Sequence, residues 1–295
     1  MPLQRVQVSA LVVLVLLVVI GSWAGARNGE RTKSTPSKTP KQPYSHALAA
    51  AAPPPAVKPA LGAANTVPES AATFVPGVVA KTTGTDGVAL TFDDGPGNQT
   101  MPILNLLRAY GVKATFCLIG ANVREHPELV QAIVRDGHTL CNHTWMHDLG
   151  LGQRSAEEIR SDLERTNDEI RKAVPGVEIK YFRHPGGAWT PSAVAVAQEM
   201  GMTSIDWDVD PLDWDTGTYG TGGSMVSHIV DTVRQGAQSG SIILSHDGGG
   251  DRTSTVTAYE TLLPYLLQER HLRLVALPSG ERFQQSAQGA DSPPR

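Results

Sequence analysis

Between about residues 84 and 278 the chain alternates two kinds of apolar pattern. Short runs rich in β-branched and aliphatic residues predict strands over 88–92, 114–119, 139–142, 181–183, 203–208, 242–245 and 272–276. Between them, apolar residues recurring every three or four positions predict helices near 101–110, 127–135, 156–174, 191–200, 224–235 and 257–269. Ser155 followed by Glu158 is a capping-box signal opening the third helix. Gly111, Gly137, Gly201 and Gly236 follow four of the others, where a left-handed cap belongs. Pro264 counts against a regular last helix, which either kinks there or begins late.

Strand–helix alternation over roughly 200 residues predicts an α/β fold, with about seven parallel strands and helices outside. That number suits either a (β/α) barrel or an open doubly wound sheet. In both, the loops at the C-terminal ends of the strands converge on one face. Five polar clusters stand at such ends: Thr91-Phe92-Asp93-Asp94-Gly95-Pro96, His143-Thr144-Trp145-Met146-His147, Arg183-His184-Pro185-Gly186-Gly187, Asp210-Pro211-Leu212-Asp213-Trp214 and Leu244-Ser245-His246-Asp247. The pattern therefore predicts one site built from five loops.

The flanks read differently. Arg5 precedes a short apolar core, residues 11–20, followed by Ala24-Gly25-Ala26, so 1–26 has the form of a secretory signal. Residues 6–26 are also nearly long enough to span a bilayer, and a retained anchor is the alternative. Either way the remainder is expected outside the membrane, with membrane contact only if the segment is retained. Residues 27–81 are rich in Pro, Ala, Thr and Lys and have no sustained apolar period, which predicts a disordered linker. Its basic first part is either a solvated spacer or an attachment to an anionic envelope. The folded domain is expected over 82–280, with a disordered tail at 281–295.

Net charge is −4, and with no phosphate loop or basic signature nucleic acid is not an expected partner. Nothing in the pattern points to a protein partner. The two cysteines, Cys117 and Cys141, are too few for a disulfide-framework fold. They pair if their strands are neighbours, or else remain two buried thiols.

Adjacent strand residues point to opposite sides, so Asp93 and Asp94 are expected to do different work. His143 and His147 are four apart, a spacing that brings both rings to one side of a helical turn. With Asp94 they make two His and one carboxylate, a common zinc set that leaves a position open for water. Other divalent ions fit similar ligands. The acids at 206, 208, 210, 213 and 215 could instead bind calcium, but their alternation with Trp207 and Trp214 argues against a compact calcium loop. His126, His138, His184, His228 and His271 read as structural or exposed, and Trp145 as either a sugar-stacking or a packing residue.

In order and spacing the five clusters resemble those of NodB-type polysaccharide deacetylases, carbohydrate esterase family four, across about residues 84–278. The resemblance implies a deformed (β/α) barrel and metal-dependent removal of acetyl groups from sugars, usually N-acetylglucosamine. It implies Asp93 as general base, Asp94, His143 and His147 as ligands of a divalent metal, most simply zinc, and the Gly186 N–H as oxyanion donor. His246 would protonate the leaving amine. Arg183 is suited to orient Asp93 and Asp213 to orient and charge-support His246, while Leu244 and Trp214 would wall the acetyl pocket. The family often has an aromatic residue after its Arg-x-Pro unit. Here Gly186-Gly187-Ala188-Trp189 stands instead, so Trp189 substitutes or the cleft is more open. The expected substrate is an acetylated polysaccharide of the envelope, peptidoglycan first, with chitin oligosaccharide or acetylxylan as alternatives. A catalytically silent wall-glycan-binding protein is the alternative from another class.

Overall fold

The computed structural model describes residues 77–278. The expected signal or anchor, most of the linker and the tail lie outside the described residues. Among the described residues no helix is long and apolar enough to cross a membrane.

In chain order the elements are β1 (Val88–Gly95), α1 (Thr100–Ala109), β2 (Thr115–Leu118), α2 (Gly120–Glu125), α3 (Pro127–Arg135), β3 (Thr139–Asn142), α4 (Ala156–Ala173), β4 (Tyr181–Phe182), α5 (Pro191–Glu199), β5 (Thr203–Ser204), α6 (Thr216–Tyr219), α7 (Gly223–Gly236), β6 (Ile242–His246), α8 (Thr253–Pro264) and β7 (Leu274–Val275). The sheet runs β5-β4-β3-β2-β1-β6, with β7 on the first residues of β1. Every pairing within it is parallel. The ladder is not continuous around a ring. The chain beyond β5 nevertheless bridges to β6 at Val209 and Ile243, and the Leu244 N–H donates to the Val209 carbonyl at 2.9 Å. That contact brings the two sheet edges together, as a deformed barrel requires.

Alternation along β1 explains the layers. Val88, Leu90 and Phe92 join the large core between sheet and helices. Ala89 belongs to a small inner cluster with Cys117, Cys141, Tyr181, Ile205, Ile242 and Leu277. On that inner side Thr91 and Asp93 follow, so the interior changes from apolar to polar toward the C-terminal strand ends. Cys117 lies opposite Cys141 in the β2–β3 register, and the two form a disulfide. Pairing, rather than two buried thiols, is the outcome.

Boundaries shift where a local group outcompetes the ladder. The expected strand 203–208 pairs only over Thr203–Ser204, because Asp206 N–H then turns to the Ala80 carbonyl. Asp208 further on takes Ser241 and the Ile242 N–H with its own carboxylate. Gly111, Gly137 and Gly201 take left-handed φ of 66°, 79° and 77° after their helices. Gly236 does not: it is the last residue of α7, where a side chain would press on Val209. Ser155 and Glu158 form the reciprocal capping box. Pro264 sits at the end of α8, where the chain continues as a π-type turn over Tyr265–Glu269. The short helices α2 and α6 carry too little periodicity to be read in advance.

Candidate active site

The site begins with a break in strand alternation. The β1–β2 register shifts between Asp93 and Gly95, and Asp94 takes φ 68°. This left-handed bulge swings Asp94 round, so both carboxylates approach one imidazole. His143 Nε2 lies 3.6 Å from Asp93 Oδ2 and 3.4 Å from Asp94 Oδ1. The expected opposite orientation of the two acids therefore fails, although their partners still differ.

His143 and His147 do not share a helical turn. They lie in an irregular loop after β3, with Thr144 at φ 66° and His147 at φ 56°. Asn142 holds that loop. Its Oδ1 accepts the Thr144 N–H, while its Nδ2 donates to Leu163 and Asn167 of α4. Asp162 accepts the Trp145 N–H. Such strain persists only where neighbours enforce it, and Asn142 and Asp162 are the neighbours that do.

His147 Nε2 is 3.3 Å from Asp94 Oδ1, close to the 3.4 Å of His143. Two ligands each about 2.05 Å from a tetrahedral ion stand about 3.3 Å apart, so the spacing suits a shared divalent cation. Asp94 Oδ1 is buried without a hydrogen-bond partner, as expected of an atom meant for a cation. His143 Nδ1 donates to the Arg183 carbonyl at 2.8 Å, which fixes the tautomer and turns the Nε2 lone pair into the site. Among the described residues, these three are the group that could hold a metal. Electrostatics agree. Burial opposes charge on Asp94, but His143, His246 and His147 outweigh it and hold its carboxyl well below the usual range. Burial likewise opposes charge on His143, and Asp93 with Asp94 raises its pKa regardless. His147 is lowered, by burial first and with the neighbouring His143 and His246 adding to it, although Asp94 opposes the shift.

Asp93 has a different setting. Arg183, fully buried, donates from one terminal nitrogen to Asp93 Oδ1 at 2.7 Å and to Thr91 Oγ1 at 2.9 Å. Its other terminal nitrogen donates to the Asp206 carbonyl. The guanidinium thus locks Asp93 Oδ1 and leaves Oδ2 on the side of His143, 3.6 Å from its Nε2. Across the β1–β6 register from Asp93 stands His246. Its Nδ1 is 2.6 Å from Asp213 Oδ1, and its N–H donates to Asp213 Oδ2 at 3.0 Å. Thr255 donates to the same Oδ2. Burial would discharge His246, but Asp213 more than offsets it and lifts the pKa to about 9. The protonated imidazole is therefore the form favoured at neutral pH.

Gly186 takes φ 60°, and its N–H meets no carbonyl among the described residues. A side chain there would collide with Leu149, which is 58% exposed. Leu244 is buried and Trp214 is 49% exposed beside Asp213. Trp189 packs edge-on against Phe182 and His184. Trp145 is buried beneath Arg124 and Arg165, which favours packing over sugar stacking. His184 accepts the Gly152 N–H and is structural, as expected. The acidic run forms no calcium loop: Asp208 serves Ser241, Asp210 the Leu212 N–H, Asp213 His246 and Asp215 the start of α6.

Sequence reasoning gave no role to several residues here. Asp247 is fully buried, accepts from Thr100 Oγ1 at 2.5 Å and sits against Gly95. Asn122 donates to the Asp94 carbonyl. Gly248 and Gly249 press so closely on Asp94 that neither could carry a side chain. The run Gly248-Gly249-Gly250 was the available signal, since backbone approach of this kind needs glycine.

A parallel sheet whose inner strand ends gather two histidines, paired acids and a charged His–Asp couple defines a hydrolase-type site. The polysaccharide deacetylase family profile matches residues 80–205. A chitooligosaccharide deacetylase of Sinorhizobium fredii is 36% identical over 66% of this chain and 92% of its own. A peptidoglycan N-acetylglucosamine deacetylase of known structure superposes with a TM-score of 0.61 at 31% identity, over 68% of this chain and 90% of that one. A family-four pseudoenzyme from Bacillus anthracis superposes with a TM-score of 0.58 at 28% identity, over 65% of this chain and 64% of its own. The chain belongs to the polysaccharide deacetylase family, the NodB-type enzymes of carbohydrate esterase family four.

Proposed function

We propose that this protein is an exported, metal-dependent N-deacetylase that hydrolyses acetyl groups from N-acetylated amino sugars of the envelope, in peptidoglycan first. Deacetylation of an acetylated polysaccharide follows from the family; metal dependence, compartment and polymer are the proposal. The observation that carries it is the Asp94 oxygen, orphaned and equidistant from two imidazoles, with a locked acid on one side and a charged histidine on the other. Asp94, His143 and His147 would hold a divalent ion, zinc being the simplest for this donor set. Bound there, the ion supplies Lewis acidity for the acetyl carbonyl and makes a water easier to deprotonate.

This chain's own residues supply the rest. Asp93 Oδ2, free of Arg183, takes the proton of the attacking water. The Gly186 N–H, which meets no carbonyl among the described residues, would donate to the oxygen on which charge develops. His246, held charged by Asp213, gives its proton to the amine, which leaves poorly as an anion. Leu244 and the Trp214 indole wall the acetyl methyl. The Cys117–Cys141 bridge supports export, since such bridges persist in oxidising compartments, and the N-terminal segment points the same way. Likeness to a pseudoenzyme keeps a silent glycan-binding protein as the second reading.

Purified protein is incubated with peptidoglycan, chitin oligomers and acetylxylan, with and without chelator, and products are weighed by mass spectrometry. Direct acetate release is followed alongside, and it should stop with chelator and return with zinc. Release that ignores chelator would end the metal proposal, and no release from any glycan would favour the silent reading.

A further inference from the structure

Gly186 stands where the family often carries an aromatic residue, and the space that such a side chain would claim is already taken. Among the described residues, a Cβ built on Gly186 would meet one atom, Leu149 Cδ2 at 2.8 Å. Trp189 does not enter that space: its ring packs edge-on against Phe182 and His184, and its indole nitrogen is buried. Leu149 comes from the other loop of the site, two residues after His147. Its side chain is 58% exposed and joins neither apolar cluster of the fold. A lone exposed leucine is ordinary; this one is presented on a fixed backbone.

On one side, Asp148 Oδ1 accepts the Gly150 N–H at 2.9 Å and its Oδ2 pairs with Arg154 at 2.6 Å. On the other, Gly152 ties the segment to the loop after β4. Its N–H donates to His184 Nε2 at 3.1 Å, and its carbonyl accepts from Thr190 Oγ1 at 2.8 Å. The same two loops meet again where His143 Nδ1 bonds the Arg183 carbonyl. Leu149 is thus held against Gly186 before any ligand arrives, so contact with one costs little further ordering. An oxygen that accepts from the Gly186 N–H stands about 3 Å from that nitrogen, with the acyl methyl two bonds beyond. A side chain packed on Gly186 is the nearest apolar group to meet a longer acyl chain on that side.

We propose that Leu149 is a specificity-determining residue: it closes the acyl pocket on the Gly186 side, in place of the missing aromatic, and limits the group removed to acetyl. This rests on the deacetylase reading, with Gly186 as oxyanion donor, and deepens it. To Leu244 and Trp214 it adds a wall supplied by the loop that carries the two histidines. Leu149 has no polar group, so truncating it changes the shape of the pocket without removing a ligand or a proton carrier.

The test compares full-length wild type, Leu149→Ala and Leu149→Met on 4-nitrophenyl acetate and butyrate, and on glucosamine tetramers N-acylated with either group. Wild type should favour acetyl. In Leu149→Ala the butyryl-to-acetyl ratio of kcat/KM should rise about tenfold or more, the usual worth of methylenes that a pocket refuses. Leu149→Met, of similar volume, should keep the wild-type ratio. A merely structural role would lower both substrates together, and an unmoved ratio overturns the proposal. A higher KM for the tetramers at an unmoved ratio would set Leu149 against the sugar instead, and overturns it equally. If wild type cleaves neither acyl group, the deacetylase reading fails, and calorimetry with the two tetramers decides the wall alone. A preference for the N-acetyl tetramer that Leu149→Ala loses supports it; the same preference in both proteins, or none in wild type, rejects it.

Discussion

Two carboxylate–histidine centres stand at the C-terminal strand ends of this sheet, built from the same residue types and doing different things. Asp213 and His246 stand 2.6 Å apart, and Thr255 satisfies the second carboxylate oxygen. That centre is complete as it stands. Asp94 stands 3.3–3.4 Å from two imidazoles, with Oδ1 satisfied by neither. The difference of less than an ångström separates a proton-holding couple from a cradle for a cation. Residue type alone does not make that distinction; spacing and the remaining lone pairs do.

The largest break should come at the cradle. Asp94→Ala removes the ligand shared by both imidazoles, and it should abolish bound zinc and lower deacetylation by about a thousandfold or more. Asp93→Asn should lose activity on a similar scale while retaining zinc, because Asp93 is proposed as base and not as ligand. Elemental analysis of both purified variants checks this. Loss of zinc from Asp93→Asn would merge two roles that the geometry keeps apart.

At the complete centre, His246→Ala should cost about 10²- to 10⁴-fold in amide cleavage, the usual worth of a positioned acid. An activated acetate ester, whose leaving group needs no proton, should lose much less. Parallel assays on chitin tetramer and 4-nitrophenyl acetate read the contrast. Equal losses on both would remove His246 from the role of acid.

The same contrast marks what the sequence made legible. The strands and five motifs were readable because period and order survive in one dimension. His246 with Asp213 and Arg183 with Asp93 also matched their expected pairings. The orientation of Asp94 and the loop bearing His143 and His147 were not readable as geometry. Both depend on left-handed residues, Asp94, Thr144 and His147, held by groups distant in sequence such as Asn142 and Asn122. Leu212, another left-handed residue, lies in the loop that carries Asp213. Strain gathers where the chemistry does, and local preference misreads those positions for that reason.

A smaller effect sharpens the proton couple. His246 is raised to about 9, so its protonated form predominates below that pH and is lost as pH rises through it. Activity that needs the acid should follow the same limb. Asp213→Asn removes the main support of the charge, and the limb should move toward acid, with roughly tenfold or more activity lost at pH 8. A pH profile of kcat shows it. An unmoved limb would mean that Asp213 orients the ring without setting its charge.

The smallest effect concerns Asp247, a carboxyl that belongs to neither centre. Burial, with Asp94 and Asp93 nearby, raises its pKa to about 7, although Thr100 donates to it. An unfolded aspartate releases its proton near 3.9, so between about pH 4 and 7 the native state holds a proton that the unfolded chain has lost. Its contribution to stability therefore declines as pH rises through that window and stays low above it. Asp247→Asn keeps an acceptor for Thr100 and cannot ionise. The variant's melting temperature relative to wild type should thus rise by a few degrees between pH 5 and pH 8. An equal difference at both values would show that Asp247 ionises in the folded protein as freely as in the unfolded chain, its charge balanced by a group other than Thr100.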